Sequence, residues 1–97
     1  MSTKFPVKDF DIVKFRKSDT KGKKYDSIIQ HKKTDKKYII PFGSSSHQQY
    51  KDSTGLGLYS NLDHGDKTRR AMYRLRHKVF YKPDYYSPAY MSWNYLW

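Results

Sequence analysis

An α+β domain is the fold class this sequence predicts. Short β-branched and aromatic runs fill the first half, a basic stretch with helical spacing opens on Asp66, and Ser87-Pro88 introduces an aromatic C-terminal segment. A chain of 97 residues forms one domain, and at that size only about two-thirds of the unfolded surface becomes buried, so the core is small. The expected layout is a flexible leader over 1–9, a small antiparallel β-sheet within 10–43, a basic helix over 66–80 and an aromatic segment over 87–97.

Three runs read as strands: Phe10 to Phe15, Tyr25 to His31 and Lys37 to Phe42. The pairs Ile28-Ile29 and Ile39-Ile40 favour strand over helix, because β-branched side chains fit a pleated surface better than a helical turn. Lys32 to Lys36 has the length and polarity of a hairpin connection. Pro41 has no amide to donate, so the third strand must end there or lie at an edge. From Ser44 to Gly65 turn residues dominate. Gly55-Leu56-Gly57-Leu58 lacks the third glycine and the βαβ setting of a phosphate-binding fingerprint, which leaves backbone turning as its role.

Asp66 is placed to cap a helix running from Lys67 to about Phe80. At about 100° per residue, Ala71, Met72, Leu75 and Val79 share one stripe, expected to pack. Lys67, Arg70, Arg74, His77 and Lys78 share a cationic arc, and Arg69, Tyr73, Arg76 and Phe80 lie between. Ser87 followed by Pro88 pairs a cap with a first-turn proline, predicting a second, short helix to about Leu96. Its rings, Tyr90, Trp93, Tyr95 and Trp97, are too many for one face, and the expectation is that they form an interface with a second copy, giving a homodimer, or dock on another protein.

Charge narrows the function classes. Lys and Arg outnumber Asp and Glu by 20 to 9, a net charge of +11, which attracts phosphate and other anions. At 18% aromatic residues the chain departs from the composition of disordered polycations. There is no cysteine, hence no disulfide framework or thiolate metal site. No apolar run nears the roughly 20 residues that cross a bilayer, and Met1 to Lys8 has no secretion-signal stretch, so a soluble protein with no membrane partner is expected.

No nucleophile, base and orienter announce themselves together, and the nine acids are scattered, so no enzyme and no catalytic residue is expected. No cofactor is expected either. The four histidines have no paired metal spacing; Asp63-His64-Gly65-Asp66 is the one crowd of hard ligands, and Asp66 is committed as a cap. The strongest candidate site is therefore the helix, where no acid interrupts Lys67 to Lys82. Lys67, Arg69, Arg70, Arg74, Arg76 and Lys78 are the expected phosphate contacts, bound through counterion release with little base reading. A second cationic field from Lys14 to Lys37, diluted by Asp19, Asp26 and Asp35, offers a nuclear address or a flexible arm over Arg16 to Lys24.

The second half carries a combination of motifs: Phe42-Gly43; Tyr50-Lys51-Asp52; His64-x-Asp66-x-x-Arg69-Arg70-x-x-Tyr73-x-x-Arg76-His77; and Ser87-Pro88-x-Tyr90-x-Ser92-Trp93-x-x-Leu96-Trp97. Over residues 38–97 this resembles a family of small basic uncharacterised proteins of nucleocytoplasmic large DNA viruses, with marseilleviruses the nearest group. The resemblance implies a viral origin and a place in the virion, with the host cytoplasm or nucleus during infection. Combined with the charge, it makes a virion-associated protein that binds DNA non-specifically the leading expectation. The alternative is a structural or scaffold virion protein whose basic surface meets an acidic protein partner, with a host-directed role as a third.

Overall fold

In chain order the elements are β1 (Phe5–Pro6), β2 (Phe10–Lys17), β3 (Lys23–His31), β4 (Lys37–Ser44), α1 (Lys67–His77), β5 (Tyr85–Tyr86) and α2 (Pro88–Tyr95), with single 3-10 turns at Val7–Asp9 and Ser60–Leu62. They come from a computed structural model that describes residues 5–97. The architecture is α+β: an antiparallel sheet in the order β2-β3-β4 precedes the helices, and a two-stranded ribbon joins β1 to β5.

The strand readings hold with modest extensions at their ends, and β4 lies at the sheet edge as Pro41 requires. The 32–36 connection is a hairpin in which Asp35 takes φ 61°, a conformation aspartate tolerates better than most residues. Its amide donates to the His31 carbonyl at 2.9 Å. Between Ile12 and Lys14 the register slips, and the bulge leaves Val13 exposed.

Alternation along β3 turns Tyr25, Ser27 and Ile29 to one face, opposite Phe42, Ile40 and Tyr38 of β4. α2 lies over that face, adding Met91, and Leu96 follows just past its end, so that Phe10, Tyr25, Ile29, Ile40, Phe42, Met91 and Leu96 form one buried cluster. The other face of β3 is covered as well: Lys24, Asp26 and Ile28 are all buried. Asp26 accepts from Arg16 Nε at 3.1 Å and from Ser18 Oγ at 2.7 Å, which compensates a charge otherwise costly to bury.

Residues 1–4 of the expected flexible leader lie outside the described residues. From Phe5 onward the leader carries structure: Phe5 pairs with Tyr86 and sets its ring against Phe10 at 5.4 Å and Tyr38 at 5.0 Å, closing one end of the core. Helix α2 begins as read, with Ser87 Oγ accepting from the Tyr90 amide at 3.0 Å. Helix α1 stops at His77, three residues short of the expected end. The amides of Phe80 and Tyr81 both turn back to the His77 carbonyl, and Pro83 disfavours helical geometry at the residue before it.

A buried polar network fixes the long connection from β4 to α1. The Lys24 ammonium donates to the His47 carbonyl at 2.6 Å and to Gln49 Oε1. Gln49 Nε2 donates in turn to Asp63 Oδ1 at 2.6 Å and to the Tyr59 carbonyl at 2.9 Å, and the same Asp63 oxygen accepts the Asp52 amide at 3.0 Å. The Tyr25 hydroxyl donates to Asp52 Oδ2 and accepts from the Leu58 amide at 3.0 Å. Gly43, at φ 77°, sits where a side chain would press on Leu96: a Cβ there would lie 2.8 Å from its Cδ1.

Burial, reinforced by the hydrogen bond and charge of Asp52, pushes the Tyr25 phenol up to about 12, while burial pulls Lys24 below its ordinary value against the attraction of Asp52 and Asp63. Below the unfolded tyrosine value of about 10 the Tyr25 contribution to stability is complete, and it disappears as pH climbs towards 12. Lys24 works with the opposite sign, since the cost of burying its charge is relieved as pH rises through its lowered value. A Tyr25→Phe variant is therefore expected to lose less stability than wild type between pH 10 and about 12, in urea unfolding across that range.

Candidate functional site

Helix α1 starts where the polar network ends. Asp66 Oδ1 accepts the amides of Thr68 at 2.9 Å and Arg69 at 3.2 Å, as its position predicts. Just before it, His64 Nδ1 accepts the Asp66 amide at 2.9 Å, and the ring tilts against Trp97 at 5.2 Å. Burial, with the nearby charge of Arg69, lowers the His64 pKa against the opposing pull of Asp66 and Asp63.

The helix docks through a different face from the expected one. Tyr73 stacks on Trp97 with centroids 4.2 Å apart and planes within 4°, and His77 stacks on Tyr73 at 4.2 Å. The Arg70 guanidinium lies over the Tyr50 ring at 4.3 Å. Arg74 lies over Trp93 at 5.3 Å while its Nη2 donates to the Trp97 carbonyl at 3.0 Å. The surface offered to α1 is made of ring faces and a carbonyl, which suit a guanidinium or another ring better than aliphatic side chains. Consequently the stripe read as the packing face points outward: Ala71 is exposed, with Met72 at 49%, Leu75 at 60% and Val79 at 63% of their full accessibility. Phe80, in the turn beyond the helix, is 63% exposed.

The six candidate phosphate contacts are thereby divided. Arg70 and Arg74 are half-buried in the docking contact, whereas Lys67, Arg69, Arg76 and Lys78 are exposed. Arg69 and Arg76 line a cleft of about 580 Å³ between α1, the start of α2 and the ends of β3 and β4. Lys23, His47 and His77 share its lining with the hydroxyls of Ser44 and Ser92, and no Asp or Glu side chain belongs to it. Arg69 Nη1 reaches across to Gln48 Oε1 at 2.8 Å, joining the helix to the loop on the far wall. Burial raises the Tyr73 phenol at the cleft, opposed by its Ser92 hydrogen bond and Arg76, so the ring is a neutral wall at ordinary pH.

Lys23, Ser44 and His47 were absent from the sequence-derived site. Lys23 belongs to the second lysine field, and nothing local in the sequence connects the start of β3 with the helix arginines. Among the described residues the ion pairs are Arg16 with Asp26 and the looser Lys32 with Asp11. The helix arginines pair with neither Asp52 nor Asp63, which serve the polar network. Nor does any group of three or more His, Asp or Glu side chains gather with metal-binding geometry among those residues.

The aromatic quartet is engaged within the chain. Trp93 stacks on Tyr81 at 4.4 Å, Tyr95 meets Phe15 at 4.6 Å, Tyr90 meets Tyr86 at 5.0 Å, and Trp97 carries the Tyr73 stack. A homodimer built on these rings would use only their outer edges. Comparison with family models, with curated proteins and with solved structures finds no match to this chain.

The division of the arginines is measurable as stability. Arg74→Ala is expected to cost about 1–2 kcal/mol, through the lost carbonyl hydrogen bond and ring contact. Arg76→Ala, at an exposed position, should stay within about 0.5 kcal/mol of wild type. The comparison is the shift in urea midpoint for each variant.

Proposed function

We propose that this protein binds the sugar-phosphate backbone of nucleic acid through the cleft beside α1, without reading base sequence. The observation that carries this reading is the cleft's lining: Lys23, Arg69 and Arg76, joined by His47 and His77, with no Asp or Glu side chain among its residues. A cleft with walls of one sign concentrates anions, and backbone contacts of this type bind by releasing counterions. Lys67 and Lys78, exposed on the opposite margin of α1, lie outside the cleft and add only to the overall positive potential. Arg70 and Arg74, held over rings, are assigned to docking α1 and withdrawn from the phosphate contacts.

Viral DNA as the polyanion, and the virion as the place, are the part of this proposal that rests on the resemblance over residues 38–97. An acidic protein partner remains the competing occupant of the same cleft, and the binding experiment separates the two.

Affinity for a labelled random duplex and for a single strand of the same length is expected to fall linearly against log salt. Three to five phosphate contacts give a slope of about −3 to −4.5 on duplex. Changing Lys23, Arg69 and Arg76 together to Ala should flatten that slope by about 2 to 3. Changing Lys14, Lys33 and Lys36, the same loss of charge away from the cleft, should leave most of it. Equal losses from the two triple variants would mean that net charge alone binds. Absence of salt-dependent binding in wild type would hand the cleft to a protein partner.

A further inference from the structure

The cleft uses only one margin of α1, and the outward stripe of the helix is unaccounted for. Centred on Leu75, this stripe runs from Ala71 through Met72 to Val79, all exposed; Phe80, also exposed, turns its ring towards His77 on the docked side. Solvent-facing apolar residues are unremarkable singly, but a contiguous row along one helix marks a contact surface. At about 100° per residue, Lys67 and Lys78 lie on one margin of the row and Arg69 and Arg76 on the other, with Lys82 just beyond. Between Lys67 and Lys82 there is no acid.

We propose that α1 is an interfacial anchor that lies flat on an anionic lipid bilayer, with Met72, Leu75 and Val79 immersed at the top of the acyl layer and the flanking cations level with the headgroups. An apolar stripe bordered on both sides by cations is the pattern of a helix that rests in a membrane interface. The opposite face is already fixed to the body by Tyr73, Arg70 and Arg74, so the helix arrives formed and bears no ordering cost at the surface. No helix among the described residues is long and apolar enough to cross a membrane; a surface contact of this kind departs from the expectation, drawn from the sequence, of no membrane partner.

Charge sign selects this occupant over two others. In a second copy paired antiparallel about Leu75, every charged residue from Lys67 to Lys82 would be of the same sign as its counterparts, and no ion pair could form across the contact. A partner helix would need acids along both margins in register. A bilayer of anionic lipid presents uniform negative potential to both margins with no register at all.

The anchor goes beyond the nucleic-acid reading and is tested apart from it by flotation of the full chain. The probes are phosphatidylcholine vesicles with about a third phosphatidylserine, and phosphatidylcholine vesicles alone. Wild type should float with the anionic vesicles and bind the neutral ones about tenfold less. Met72→Ser, Leu75→Ser and Val79→Ser combined should lower anionic binding by more than about tenfold, while leaving the helical circular dichroism and the salt slope on DNA unchanged. As a second readout, the absence of native cysteine allows Leu75→Cys to carry an environment-sensitive dye. Its emission should shift to the blue on anionic vesicles, and the same dye at Lys36→Cys should not respond. The proposal is overturned by failure of wild type to float, by equal flotation of the triple variant, or by a wild-type dimer that the triple variant abolishes while neither binds lipid.

Discussion

Everything around the cleft depends on one buried ammonium. Lys24 sits on the central strand with 1% of its surface exposed, and an ammonium in that position is tolerable only if its protons find acceptors. The acceptors, His47 carbonyl and Gln49 Oε1, lie in a stretch with almost no regular secondary structure. Meeting that demand therefore fixes the path of the chain between β4 and α1. Gln49 passes the constraint to Asp63, and Asp63 to the Asp52 amide. The far end of the same loop then turns through His64 into the Asp66 cap. A strand residue thus sets where the helix begins. The arrangement also explains why the loop is rich in short polar side chains: its internal contacts are hydrogen bonds of defined length, which specify one geometry where apolar contacts would allow several.

A second constraint sets how the helix lies once begun. The core face of the sheet is closed by α2, and what remains for α1 is the outer surface of the C-terminal rings. Guanidinium groups are weakly hydrated and planar, so they pack on such rings at little desolvation cost, where an ammonium would hold its water. Arg70 over Tyr50 and Arg74 over Trp93 are contacts of this type, and the parallel Tyr73 and Trp97 rings complete the seat. Substituting lysine at positions 70 and 74 would keep the charge and lose the fit.

Local rules made much of this legible. Caps, proline positions and β-branched pairs depend on a few neighbouring residues, and the strands, the hairpin, the Asp66 cap and the Ser87-Pro88 start follow from them. The orientation of α1 was not legible for a physical reason. Periodicity finds an apolar stripe and assigns it to the interior, an inference that assumes the interior face is aliphatic. Here the receiving surface is aromatic, so Tyr73 and two arginines docked and Leu75 did not. Of the C-terminal rings read as a surface for another copy, Trp93 and Trp97 seat this helix, while Tyr90 and Tyr95 pack on Tyr86 and Phe15. Lys23 and His47 could be found only in three dimensions, because the strand end and the loop meet α1 through tertiary contact alone.

Charge sign connects the two faces that remain open. At +11 the folded chain repels itself, and placing Arg69, Arg76 and Lys23 around one cleft adds to that repulsion with no Asp or Glu side chain in the lining to offset it. Such an arrangement lowers the stability of the free protein and is relieved by any anion that enters. Arg69 and Arg76 also form one margin of the outward stripe, so a phosphate backbone in the cleft and an anionic surface under the stripe draw on the same two side chains. Occupation of one weakens the field available to the other. If nucleic acid and anionic lipid are the partners, as proposed, they compete through Arg69 and Arg76, while the apolar residues of the stripe are indifferent to which of them holds the charge.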